Sequence, residues 1–208
     1  MLGGLVLQDS ALSPYDPLTV SLILLAAGAI IATIYLYREA RGRHEPEDHQ
    51  SFAWMFGLIG GISLLISGEI MWANWAGFPA AQYTELFGVA QTLFAVVMLA
   101  AAFVLYTDLD VKPFTWLTAI SGLVLLQGGR AIYSYGLTRE PWASTGIWIA
   151  TGIAAVLLLP ASYAGEGTDA RKYLLYATVV FLIVAAVLSG GMGIEAHFGH
   201  IAEAASGS

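Results

Sequence analysis

The residues with the most chemistry within reach are one arginine, a handful of carboxylates and two histidines, nearly all in apolar surroundings. Arg130 stands in the stretch Ser121 to Tyr135, SGLVLLQGGRAIYSY, about one helical turn inside an otherwise hydrophobic run. A guanidinium keeps its proton, and placing one near the centre of a bilayer costs about 2.5–3.5 kcal/mol on insertion scales, less toward the edge. It is therefore expected to face protein, water or a carboxylate. Glu69 is the expected partner, with Gln127, Gln91, Glu85 and Glu195 near the same level. These six define an expected polar pocket open to the outside, where Arg130 would hold an anionic group or fix a carboxylate's charge. If several acids approach one cation, like-charge repulsion keeps one protonated and able to carry protons. An Arg–Glu pair that only fixes helix register is the plainer alternative.

A second constellation is Gly193-Ile-Glu195-Ala-His197-Phe-Gly-His200. His197 and His200, three apart on a helix, share a face, and with Glu195 they have the donor types of a divalent-metal site. The plainer reading is solvated histidines at the end of a span. A b-type haem is not expected, because the other two histidines, His44 and His49, lie in a linker on the opposite side. With no cysteine, disulfides, thiolate metal sites, iron–sulfur clusters and cysteine nucleophiles are excluded. No P-loop, GxGxxG turn, nucleophile elbow or HExxH helix occurs. The expectation is no cofactor, with that metal site as the exception.

The elements that must position these residues are membrane spans. The chain has 208 residues, 58% hydrophobic and 11% charged, and a mean hydropathy of +0.72, too few charges to cover a soluble globule of this size. The expected fold is all-α, a polytopic membrane protein with six transmembrane helices: Leu18 to Tyr37, Ser51 to Trp75, Glu85 to Tyr106, Pro113 to Tyr135, Ser144 to Ala164 and Tyr173 to about His197. Residues 1–16 form an extracytoplasmic segment containing the short apolar run Leu2 to Leu7. Residues 17–200 form a single six-helix domain, and 201–208 a flexible tail. The first, third and fifth loops hold Arg38, Arg41, Arg43, Lys112, Arg171 and Lys172, whereas the other side holds Arg139 and the intramembrane Arg130. The positive-inside rule then puts those loops in the cytoplasm and both termini outside a cell membrane. Trp72, Trp75, Phe78, Tyr83, Tyr133, Tyr135 and Trp142 form an interfacial belt at the other surface. Pro113 suits a first helical turn, and Pro160 is expected to kink its helix or mark its end.

A shift of 61 residues, applied twice, brings Leu64, Leu65, Ser67 and Gly68 onto Leu125, Leu126, Gly128 and Gly129, then onto Ala186, Val187, Ser189 and Gly190. Three parallel helical hairpins around a pseudo-threefold axis would give that pattern, and so would chance among small and aliphatic residues. The run from Trp75 through Pro79, Tyr83 and Leu86-Phe87-Gly88 continues with Leu105-Tyr106, Val111-Lys112-Pro113 and Ser121-Gly122. With Gly136-Leu137-Thr138-Arg139-Glu140-Pro141 and Pro160, it resembles a domain-of-unknown-function family of small prokaryotic membrane proteins, over about Gly57 to Ala161. The resemblance implies the membrane class and no particular activity.

Three functions fit. The first is a small transporter or channel for an ion, proton or small solute, using the Arg130 pocket. The second is a non-catalytic subunit or assembly partner whose small-residue faces pack on another membrane protein. The third is a membrane metal or redox enzyme using Glu195, His197 and His200. Expected partners are the lipid bilayer and either further copies of the chain or another membrane protein. The net charge of −7 argues against nucleic acid.

Overall fold

The computed structural model describes residues 16–43, 46–72 and 81–206, all but the loops in six helices. These are α1 (Pro17–Ala40), α2 (Pro46–Trp72), α3 (Ala81–Thr107), α4 (Val111–Tyr135), α5 (Pro141–Tyr163) and α6 (Asp169–Ser206). The run Leu2 to Leu7 and the belt residues Trp75 and Phe78 lie outside the described residues.

The starts and stops follow from the local sequence. Asp16 caps α1, its carboxylate accepting from the Leu18 amide at 2.9 Å and the Thr19 amide at 3.3 Å, with Pro17 in the first turn. Asp110 caps α4 by accepting from the Lys112 amide at 3.0 Å, and that helix ends on Gly136 with φ +60°. The Thr168 hydroxyl accepts from the Arg171 amide at 3.3 Å and so caps α6. Pro160 lies three residues before the end of α5 and marks that end rather than a kink in mid-span. The expected flexible tail is different: α6 continues to Ser206, because Ile-Ala-Glu-Ala-Ala favours helix beyond the membrane.

Five helical segments are long and apolar enough to cross a bilayer: Pro17–Ala40, Asp48–Trp72, Thr84–Thr107, Pro141–Tyr163 and Asp169–Ala202. α4 carries Lys112, Gln127 and Arg130 and is less apolar. Its 25 residues still extend about 37 Å, and it is flanked on either side by spanning helices.

The helices close into a ring in chain order. Each packs on the next, α2 against α3 and α4 against α5 most closely, and α6 returns to pack as closely on α1. The tight contacts thus form one pair, α2–α3, and one continuous run, α4–α5–α6–α1. Ser67, Gly128 and Ser189, 61 residues apart, are buried on α2, α4 and α6. The seams α1–α2 and α3–α4 are thinner. At the end that carries the basic loops, Arg38 pairs with Asp48 at 2.7 Å across the first seam. There also Arg171 of α6 reaches Glu39 of α1 at 2.7 Å. At the α3–α4 seam an apolar cleft of about 450 Å³ opens between Phe103, Leu109, Phe114 and Leu117.

Small residues set the spacing within pairs. In α4 and α5, Gly122 and Gly152 face each other: a Cβ on Gly122 would lie 2.6 Å from the Gly152 carbonyl oxygen, and one on Gly152 2.9 Å from that of Gly122. Backbones this close gain dispersion contacts that Leu or Val would prevent. Gly122→Val is expected to lower stability by about 1–3 kcal/mol through overpacking. Gly61→Ala, where the added methyl meets no atom within 4 Å, should leave it unchanged or raise it by up to ~1 kcal/mol. Thermal unfolding in detergent, followed by tryptophan fluorescence, compares the two; equal losses would remove the close-packing account.

Candidate functional site

In a ring ordered α1 to α6, the alternate helices α1, α3 and α5 meet one another only across the axis. Among the described residues the backbone of α5 makes no close approach to that of α1 or α3. Side chains bridge the gap. Ile132 of α4 with Ile147 and Trp148 of α5 forms a buried cluster, against which Leu22 and Leu25 of α1, Phe87 of α3 and Met192 of α6 pack. Five of the six helices therefore contribute to this cluster, in which Trp148 is 8% exposed although it belongs to the largest residue type. The Phe87 ring stands edge-on to it, centroids 6.0 Å apart and planes at 74°. The indole has its seat because Gly128 and Gly129 leave the face of α4 bare: a Cβ on Gly128 would collide with the six-membered ring, and one on Gly129 would lie 3.1 Å from the Trp148 Cβ.

A second apolar contact joins α3 to α1. Phe94 of α3 reaches Gly28 of α1, where a Cβ would be 2.7 Å from the phenyl Cζ and 3.5 Å from the Met98 sulfur. Phe87, Gln91, Phe94 and Met98 follow the i, i+4, i+7, i+11 spacing of one helical stripe. Gln91 thus lies between the two aromatic contacts, about 6 Å along α3 from Phe87 and about 4.5 Å from Phe94.

Gln91 is 7% exposed, and its amide Nε2 has no hydrogen-bond partner among the described residues. Most buried hydroxyls are satisfied within their own helix: Ser21 donates to Pro17, Ser67 to Leu64, Ser121 to Leu117, Thr178 to Leu174 and Ser189 to Ala185. The Ser63 hydroxyl on α2 is fully buried and, like Gln91, unpaired. Gly60 against Leu99 and Gly88 against Met71 set the antiparallel register of α2 and α3 and put Gln91 level with Gly68, with Ser63 about 7.5 Å farther along α2. Two orphaned polar groups this near each other are a costly arrangement unless something hydrogen-bonds them. The buried polar side chains of the described residues are Ser, Thr and Gln91, with no charge among them.

The expected pocket is not assembled in this way. Arg130 and Gln127 continue the exposed stripe Trp116, Ile120, Leu123 of α4, and Glu69 continues the exposed stripe Leu58, Ile62, Leu65 of α2, which ends on Trp72. Both stripes point away from the axis, because the opposite faces carry the glycines and serines that let the helices pack. Glu85 and Glu195 are exposed as well. No described carboxylate lies within salt-bridge distance of Arg130, and of the six residues only Gln91 is interior. The expected metal ligands are also apart in role: His197 is exposed, and His200 meets Asp16 at 3.2 Å, joining α6 to the cap of α1. Among the described residues no three His, Asp or Glu side chains form a metal-ligand group. The belt fares as its composition implies: Trp72, Tyr133, Tyr135 and Trp142 are all more than half exposed, with Tyr133 and Trp142 in edge contact at 4.9 Å.

Trp148, Phe87 and Phe94 have no place in the sequence-based site. A signal existed: Trp148 is a tryptophan one turn or more inside a span, where the belt does not account for it, and the adjacent Gly128-Gly129 offers a place to put it.

The fold is similar to that of the Helicobacter pylori urea channel in its closed state, solved by cryoEM, with a TM-score of 0.62 and 17% identity over 84% of this chain and 97% of that one. At this identity the likeness is one of fold. No curated protein matches. The family match is wider than the stretch that carried the sequence resemblance. The protein of unknown function (DUF981) family matches residues 13–203, and the chain belongs to it.

Proposed function

We propose that the protein is a membrane channel for a small uncharged polar solute, which moves along the axis of the helix ring, and that the conformation described is closed. The observation that carries this reading is the order along one stripe of α3 of an aromatic contact of Phe87 on Trp148, an unpaired amide at Gln91 and a second apolar contact of Phe94 on Gly28. A solute with a carbonyl or hydroxyl group would accept from Gln91 Nε2 and replace the water it loses on entry. An ion would not be served: among the described residues no charged side chain is buried, and carrying a bare charge past aromatic and aliphatic side chains is the costly case. The similarity in fold to a urea channel in a closed state supports the same class of solute. Of the pocket first expected from sequence, this reading keeps Gln91 on the path. The basic-loop end belongs in the cytoplasm on this reading, with both termini outside.

In proteoliposomes, Gln91→Leu is expected to reduce urea flux strongly without lowering thermal stability, since it removes a buried orphan and keeps the volume nearly the same. Trp148→Leu is expected to raise urea flux several-fold while sodium leak stays at the level of empty liposomes. Stopped-flow light scattering reads the first quantity and a sodium-sensitive dye the second. Urea permeability equal to that of protein-free liposomes in wild type and in Trp148→Leu alike would end the proposal.

Because the native chain lacks cysteine, single substitutions report topology cleanly. A cysteine at Gly42 should react with an impermeant maleimide only after the cells are opened, and one at Gly136 in intact cells. The reverse pattern would invert the orientation.

A further inference from the structure

The two exposed stripes ask for something that the ring itself does not supply. Arg130 and Glu69 are both exposed, carry no ion pair with a described residue, and stand in otherwise apolar surfaces that face away from the axis. We infer that copies of this chain associate side by side in the membrane, the outer stripe of α2 on one copy against the outer stripe of α4 on the next, with Glu69 of one answering Arg130 of the other.

Four observations bear on that occupant. The charges are complementary. They lie near one level: Glu69 is three residues from the end of α2 and Arg130 five from the end of α4, about 4.5 and 7.5 Å along helices that run the same way. Both stripes have the i, i+4, i+7, i+11 spacing of a seam between two nearly parallel helices, and their apolar members are large and well exposed, Leu65 at 76% and Ile120 at 57%. Gln127 stands one turn from Arg130 on its stripe, placed to hydrogen-bond a carboxylate already held by the guanidinium.

The arrangement of the ring then dictates the kind of assembly. α2 and α4 lie on either side of α3, so a contact between α2 of one copy and α4 of another uses two different faces of each chain. Such a head-to-tail contact repeats from copy to copy in the membrane plane and gives a ring where the rotation closes. The axis of each copy remains separate, so the inference stands whether or not the axis conducts.

Glu69→Cys/Arg130→Cys, made in a chain with no other cysteine, is expected to give on oxidation in native membranes a reductant-sensitive ladder of covalent multimers. Either substitution alone should give none. In mild detergent, Arg130→Glu and Glu69→Arg should each reduce the particle to a smaller mass, and the exchanged pair Arg130→Glu/Glu69→Arg should restore it. A wild-type particle containing one chain, or a double-cysteine protein of native mass that yields no ladder, would overturn the inference. If the cysteine substitutions themselves dissociate the particle, the exchanged pair decides: failure to regain the native mass would overturn it.

Discussion

Six helices in a ring leave a space on the axis that no backbone can fill, and in a bilayer that space must be filled by side chains, solute or water. Trp148 fills it here. Its indole has room because Gly128 and Gly129 withdraw the surface of α4, Phe87 stands edge-on to it, and Leu22, Leu25 and Met192 pack on the cluster it forms with Ile132 and Ile147. A tryptophan buries on the order of 150–250 Å² of surface and gains from edge contacts with another ring, so it fills such a space effectively. Yet α5 has no close backbone approach to α1 or α3, and the filling therefore depends on side chains rather than on backbone contact. The seams that are thin, α1–α2 and α3–α4, are where the ring can adjust around a change in those side chains.

Much of the architecture was legible beforehand. Long apolar runs separated by short polar loops specify spanning helices almost without regard to tertiary detail, because a backbone in hydrocarbon must hydrogen-bond to itself. Pro160 was legible as an end because a proline lacks the N–H that a helix needs, whereas the caps at Asp16 and Asp110 and the terminal Gly136 emerge only from the structure. Of the positions aligned by the 61-residue shift, Ser67, Gly128 and Ser189 are buried, whereas Leu64, Leu65 and Val187 are exposed. That α6 packs closely on α1 is not a local property, and no spacing within either helix announces it.

The site was harder to read, and the reason is one of direction. An arginine in an apolar run was expected to turn inward, because lipid is a poor solvent for charge. On α4, however, the inward face is occupied by Thr118, Ser121, Gly122 and Gly129, small residues that let α5 approach; Arg130 is left on the other side. Polarity alone pointed one way and side-chain size the other, and size decided the packing. Gln91 was legible as polar and intramembrane but not as distinct from its charged neighbours. What sets it apart is its place between Phe87 and Phe94, visible as a stripe only once α3 is known to face the axis.

The return of α6 to α1 also bears on how the chain is built. During synthesis α2 can meet α3, and α4 can meet α5, as soon as the second helix of each pair enters the bilayer. α1 ends at Ala40, whereas its principal neighbour begins at Asp169. At about 5–20 residues per second, the interval is on the order of ten seconds. Over that time the face of α1 bearing Thr19, Ser21, Gly28 and Ala29, all buried in the finished ring, has only α2 and α3 for company. The earliest made of these six helices is thus the last to be sealed, and the nascent protein depends longest on whatever shelters that one surface.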